Sequence, residues 1–117
     1  MRILYVEDEP SDAQLVERYV KLTPNQHVLV NDVSQAEAAL ENTPDLILVD
    51  VLINKTRDGF RFVKELRSQG YTQPIVAVTG LALAADIEQC YAAGCTEVLT
   101  KPYAINQLAD LFTKNSG

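Results

Sequence analysis

Five short apolar runs punctuate the chain: Arg2 to Val6, His27 to Val30, Asp45 to Val49, Pro74 to Val78 and Thr96 to Leu99. They are strand-sized, rich in Val, Ile and Leu, and nearly continuous rather than alternating. That pattern suits strands buried on both faces, as in a parallel sheet covered by helices. Between the runs, apolar positions recur at helical spacing. Ser11-Asp12-Ala13-Gln14 and Ser34-Gln35-Ala36-Glu37 have the form of capping boxes and open the first two helices. The first helix continues with Leu15, Val16, Tyr19 and Val20 as an inward stripe and stops before Pro24-Asn25. A third follows Asp58-Gly59, turns Phe62, Val63 and Leu66 inward and ends at Gly70. A fourth runs through Ile87 and Tyr91 to Gly94, and a fifth carries Ile105, Leu108 and Phe112.

Strand and helix thus alternate five times, the pattern of an α/β protein with right-handed crossovers. Five strands are too few for a closed barrel of eight. The expected architecture is flavodoxin-like (βα)5, a doubly wound open parallel sheet in strand order 2-1-3-4-5. Residues 1–117 read as a single domain with no linker and no output domain, and the Asn115-Ser116-Gly117 tail is expected to fray.

Composition narrows the function. The chain has 117 residues, ten Lys/Arg against sixteen Asp/Glu, a net charge of −6 and 47% hydrophobic content. Such a chain buries a core without a disulfide or structural metal. Its acidic balance argues against direct binding of nucleic acid or a membrane surface, which calls for clustered cations. Lys55, Arg57, Arg61, Lys64 and Arg67 do cluster, but Asp58 and Glu65 interleave with them, so the segment reads as a solvated helix face. Cys90 and Cys95 fit neither a common zinc motif nor a redox Cys-x-x-Cys pair and read as reduced core thiols. The N-terminus turns acidic before a signal-peptide core could form, and no apolar run reaches membrane-spanning length, so a cytoplasmic location is expected.

In open α/β sheets ligands bind beyond the carboxyl ends of the strands. There the polar residues collect: Glu7-Asp8 after the first run, Asp50 after the third, Thr79 after the fourth, and Lys101-Pro102 after the fifth. In the proposed order the first and third strands flank the topological switch point, which brings Glu7, Asp8 and Asp50 into one crevice. A like-charged pair about 4 Å apart costs roughly 4 kcal/mol at an effective dielectric near 20, so the cluster calls for a cation. All-oxygen ligands select a hard ion, and Mg²⁺ fits best because it keeps several waters and uses few carboxylates. Asp50 is then a candidate nucleophile toward a phosphoryl donor, with Lys101 supplying charge and Thr79 a hydroxyl to the transferred group.

Four motifs together resemble the receiver domain of two-component response regulators, over essentially the whole chain. Val6-Glu7-Asp8-Glu9 resembles that family's acidic pair, and Leu46-Ile47-Leu48-Val49-Asp50 the strand ending in its phosphoacceptor. Ala77-Val78-Thr79-Gly80 resembles its hydroxyl motif and Leu99-Thr100-Lys101-Pro102-Tyr103 its lysine motif. The resemblance implies phosphorylation of Asp50 and Mg²⁺, with Mn²⁺ as a substitute, held by Glu7, Asp8, Asp50 and the backbone carbonyl of Leu52. It implies that Thr79 and Lys101 contact the phosphoryl group, that the Lys101–Pro102 peptide is cis, and that Gly80, Val98 and Tyr103 form a switch region. Implied partners are a sensor histidine kinase or phosphotransfer protein and a downstream protein target, with homodimerisation through the face of the fourth helix, fifth strand and fifth helix.

Three departures stand out. Glu7 replaces the family's frequent Asp. The segment from Val51 to Asp58 lacks a customary proline and carries its Asp-Gly one residue late. Val98 stands where many members have a Tyr or Phe that swings inward on phosphorylation. Three other readings compete. An aspartate-nucleophile phosphohydrolase needs a second carboxylate where Leu52 stands. An FMN binder would suffer repulsion from the acidic loop Glu7 to Asp12. A pseudo-receiver would signal without phosphorylation, against which the full set of site residues weighs. The expected protein is therefore a phosphorylation-controlled switch rather than an enzyme.

Overall fold

The computed structural model describes residues 1–53, 56–81 and 83–115. Lys55 of the basic cluster, Ala82 in the loop after Gly80, and Ser116-Gly117 of the expected frayed tail lie outside the described residues.

The elements alternate as expected: β1 (Arg2–Val6), α1 (Pro10–Lys21), β2 (Gln26–Val30), α2 (Val33–Ala39), β3 (Leu46–Val49), α3 (Asp58–Ser68), β4 (Ile75–Thr79), α4 (Ala84–Ala93), β5 (Glu97–Thr100) and α5 (Ile105–Asn115). All strand pairs are parallel, in the order β2-β1-β3-β4-β5. The register pairs Val6 with Val30 and with Val49, Val49 with Ala77, and Thr79 with Thr100, so the carboxyl ends form one edge. β4 and β5 run one residue later than their apolar runs, which carries Thr79 and Thr100 onto the sheet.

Side chains alternate along each strand and feed two cores. Leu4, Val6, Ile47, Val49, Ile75 and Ala77 pack with α2, α3 and α4. Ile3, Tyr5, Leu46, Leu48, Val76 and Val78 pack with α1 and α5. All of β3 is fully buried. At about 1.5–3 kcal/mol for each large apolar side chain, these two layers supply the main stabilisation.

Both helix starts differ from the expected capping boxes. α1 begins at Pro10, whose fixed φ suits a first helical position, and Glu9 rather than Ser11 caps it, accepting from the Ser11 N–H at 3.3 Å and the Ser11 hydroxyl at 2.7 Å. α2 is capped by Asp32, which accepts the Gln35 N–H at 2.7 Å while Gln35 accepts the Asn31 N–H at 3.1 Å. The reciprocal box therefore lies two residues before Ser34. The inward face of α1 is Ala13, Val16 and Val20, with Tyr19 partly buried. Leu15 lies about 100° around the helix from Val16 and is exposed. Tyr91 and Ile105 also face solvent.

Arg67 departs from the solvated face assigned to its segment. It donates to the carbonyls of Gly94, Tyr71 and Gln73 at 2.8–2.9 Å and straps the end of α3 to the turn before β5. Gly94 adopts φ 120°, and a Cβ there would meet the Arg67 side chain at 2.4 Å.

Gly59 fixes how closely α3 approaches the end of β3. A Cβ at this position would lie 2.4 Å from both the Asp50 carbonyl oxygen and the Val51 Cα. Gly59→Ala gains roughly 1 kcal/mol of helix propensity yet should still lower stability, because overpacking against backbone costs about 1–3 kcal/mol. Urea denaturation checks this; a variant as stable as the parent or more so would contradict the close packing.

Candidate functional site

Each strand delivers its polar residue to the same edge. Glu7 follows β1, anchored by its N–H to the Val30 carbonyl at 3.0 Å, and Asp50 follows β3, its N–H on the Val6 carbonyl at 2.9 Å. Thr79 ends β4, and the Lys101 N–H bonds its carbonyl at 2.7 Å. Glu7, Asp50 and Thr79 are the buried polar side chains among the described residues. One oxygen from each of Glu7, Asp8 and Asp50 lies within 4.8 Å of the other two, so the expected carboxylate crevice exists.

Lys101 crosses this crevice. Its ammonium donates to Glu7 Oε1, to Asp12 Oδ2 at 2.8 Å and to Asp50 Oδ2 at 3.0 Å. Asp12 was not among the residues expected here. It falls in the first turn of α1, five residues beyond Glu7, and the fold turns it toward the crevice. Burial alone would lower the Lys101 pKa, but hydrogen bonds to Asp12, Glu7 and Asp50 outweigh it and hold the ammonium above the usual lysine value.

The remaining expected residues take defined places. Leu52 is half-buried, its N–H on Asp50 Oδ1 at 2.9 Å. The Thr79 hydroxyl accepts the Leu81 N–H at 3.1 Å. Gly80 is exposed in the turn beyond it. The Lys101–Pro102 peptide is cis. Val98 packs against the core beneath α3 and α4. Tyr103 packs on the opposite side, against the α1–α5 core. Its buried hydroxyl has no hydrogen-bond partner among the described residues, and burial together with the Asp12 charge pushes its pKa up to about 12. Of the apolar loop after β4, Leu83 and Ala84 are exposed, whereas Leu81 is partly buried against the core.

Glu7 is the strained member of the group. Its Oε1 takes the Lys101 contact and a long hydrogen bond of 3.4 Å from the Tyr5 hydroxyl, while the buried Oε2 has no hydrogen-bond partner among the described residues. Burial and the neighbouring Asp50 carboxylate push its pKa up to about 8. A proton or a cation would satisfy such an oxygen. The converging donors of Glu7, Asp8 and Asp50 are all carboxylate oxygens, so the residues fit a hard divalent ion.

Comparison with known proteins agrees with this geometry. Residues 3–113 match the response regulator receiver domain family, and the chain belongs to it. The chain is 32% identical to the sensor histidine kinase RcsC of Salmonella typhi over 92% of its length, and 30% identical to the transcriptional regulatory protein RprY of Bacteroides fragilis, also over 92%. It spans 11% of the first and 46% of the second. Among solved structures, the BeF3-activated N-terminal receiver domain of Klebsiella pneumoniae RstA superposes with a TM-score of 0.88 at 25% identity, each chain covered completely. A two-component response regulator from Clostridium difficile shares the fold with a TM-score of 0.91 at 20% identity, covering 99% of this chain and 95% of that one. The protein is thus a receiver domain of the two-component response regulators, a family of phosphoacceptors. Among the described residues no helix is long and apolar enough to cross a membrane.

The raised pKa of Glu7 has a consequence for the metal-free protein. The fold keeps a proton that the unfolded chain releases near 4.5, so this contribution to stability is complete below that value and is lost as pH rises through about 8. In EDTA the thermal midpoint should fall across this window, on the order of 5 °C or more, and Glu7→Gln should flatten the decline. A wild-type midpoint that stays level between those limits would rule the assignment out.

Proposed function

We propose that this receiver domain is a switch driven by phosphorylation of Asp50, with a sensor histidine kinase or a phosphotransfer protein as donor. The observation that carries the reading is the convergence of Glu7, Asp8 and Asp50 in one crevice, with the Lys101 ammonium bonded to Glu7 and Asp50. A carboxylate oxygen of Asp50 attacks the phosphorus, a new P–O bond forms, and the donor's P–N bond breaks with its electron pair going to the imidazole. The product is an acyl phosphate on Asp50. Lys101 offsets the charge gathering on the transferred group, and the Thr79 hydroxyl, which accepts from Leu81, still has its own proton to donate to a phosphoryl oxygen.

Glu7, Asp8, Asp50 and the backbone carbonyl of Leu52 would hold Mg²⁺ or Mn²⁺. Bound there, the ion supplies positive charge against the carboxylates and the phosphoryl oxygens. The unpartnered Glu7 Oε2 supports this assignment. The similarity to RstA, whose receiver domain is in a BeF3-activated form, supports a site built for a phosphoryl-like group.

The protein acts as a phosphoacceptor, turning over at most slowly through self-phosphorylation and self-dephosphorylation. Leu52 leaves the position two residues beyond Asp50 without the second carboxylate of a phosphohydrolase. Residues 1–117 form one receiver domain whose output is a protein contact. The face of α4, β5 and α5 meets the downstream target or a second copy, and exposed Leu83 and Tyr91 give α4 an apolar surface for it. Within the switch region, Thr79 and Gly80 carry the change, with Val98 and Tyr103 packed to either side of β5. Two buried thiols, Cys90 and Cys95, neither in a disulfide, agree with a reducing compartment such as the cytoplasm.

With Mg²⁺ and acetyl phosphate, the wild type should gain one phosphoryl group by intact mass spectrometry, removable with neutral hydroxylamine. Asp50→Asn should gain none. A wild type that stays unmodified with donor and metal both present would refute the reading.

A further inference from the structure

Lysine has three ammonium protons, and at Lys101 all three meet carboxylates. Asp12 differs from the other two partners. Glu7 and Asp50 belong with Asp8 to the group whose oxygens converge within 4.8 Å, and Asp12 does not. Its side chain is 37% exposed, against 10% for Asp50 and none for Glu7, so it meets the ammonium from the solvent side. It also stands on a rigid element. Pro10 starts α1, Glu9 caps it, and the Ala13 N–H bonds the Glu9 carbonyl at 3.0 Å, which fixes the turn carrying Asp12.

We propose that Asp12 is a positioning residue that anchors the Lys101 ammonium beside Asp50, acting through Lys101 and not as a metal ligand. The inference rests on the phosphoacceptor reading above. A phosphoryl group on Asp50 and a cation among the converging carboxylates both draw on Glu7 and Asp50. These are the two contacts that Lys101 shares with the reacting centre. Asp12 is independent of both, so it keeps the ammonium directed into the crevice while its other partners are engaged. Lys101 reaches the site on a flexible four-carbon stem, and without an independent anchor the ammonium samples positions away from the phosphoryl oxygens. Lost pre-organisation lowers the rate at saturation and leaves metal binding unchanged, whereas a lost ligand does the reverse.

The test compares wild type, Asp12→Asn and Asp12→Glu. Mg²⁺ binding is followed by intrinsic tyrosine fluorescence, and the initial rate of phosphoryl uptake from acetyl phosphate by mass spectrometry at increasing Mg²⁺. Asp12→Asn should bind Mg²⁺ with a midpoint within about twofold of wild type but take up phosphoryl about five- to tenfold more slowly at saturating Mg²⁺, the loss expected for one partly exposed charge-assisted hydrogen bond. Asp12→Glu, which restores the charge, should recover most of that rate. If Asp12→Asn does not fold by circular dichroism, Asp12→Ser is read in the same way. Equal saturating rates overturn the inference. So does a shifted Mg²⁺ midpoint with the rate restored at high Mg²⁺, which would make Asp12 a ligand. A wild type that takes up no phosphoryl overturns the phosphoacceptor reading, and this inference with it.

Discussion

One ammonium holds the carboxyl edge of this sheet together. Glu7, Asp12 and Asp50 all contact Lys101, and Asp8 lies beside two of them. Without a counter-charge, three or four carboxylates within a few ångströms would repel by several kcal/mol in total. With it, the edge is tolerable but incomplete: Glu7 Oε2 has no hydrogen-bond partner among the described residues. The site is therefore stable enough to fold and unsatisfied enough to accept a cation. That balance follows from placing one Lys where three acids meet.

The charge concentration is a product of topology. In a parallel sheet every strand ends at the same edge, so a polar residue that terminates each apolar run arrives there whatever its distance in sequence. Lys101 and Glu7 are 94 residues apart and share a hydrogen bond. The backbone locks this convergence: Asp50 N–H to Val6 O, Glu7 N–H to Val30 O and Lys101 N–H to Thr79 O join the polar residue after each strand to its neighbouring strand. Gly59 adds the second layer of constraint, bringing α3 against the peptide of Asp50 itself. The site is held by rigid elements on both sides, as pre-organised chemistry requires.

The fold was legible because continuous Val/Ile/Leu runs separated by helical stripes admit few arrangements, and the strand order followed from the flavodoxin-like rule. Glu7, Asp8, Asp50, Thr79 and Lys101 were legible for a related reason: each interrupts or ends an apolar run, so each stands out. Asp12 was not, because it sits within a helix where an acidic residue in the first turn has an ordinary explanation in the helix dipole. Arg67 is hidden in the same way. Its spacing matches a solvated face, and only the turn around Gly94, remote in sequence, makes it a strap. The caps at Glu9 and Asp32 were missed because several residues near each helix start could cap, and Pro10 decides between them at α1. Periodicity locates a face but not what a distant segment brings to it.

Val98 bears on how a signal could leave the site. An aromatic ring at that position would have rotamers pointing toward or away from the crevice. Val98 has a short branched side chain, stiff at χ1, and packs against the core beneath α3 and α4. It has little to swing. Thr79 offers the alternative, since its hydroxyl bonds the Leu81 N–H and Leu81 packs on the same core. A hydroxyl drawn toward a phosphoryl group would disturb this bond at Leu81, close to the exposed Leu83 that precedes α4. An acyl phosphate on Asp50 would carry about −1.5 to −2 near neutral pH where the carboxylate carries one negative charge, and would add acceptor oxygens that the Thr79 hydroxyl can reach. With Val98 in place of an aromatic ring, the hydrogen bond between the Thr79 hydroxyl and the Leu81 N–H is the contact that would link the site to the segment leading into α4.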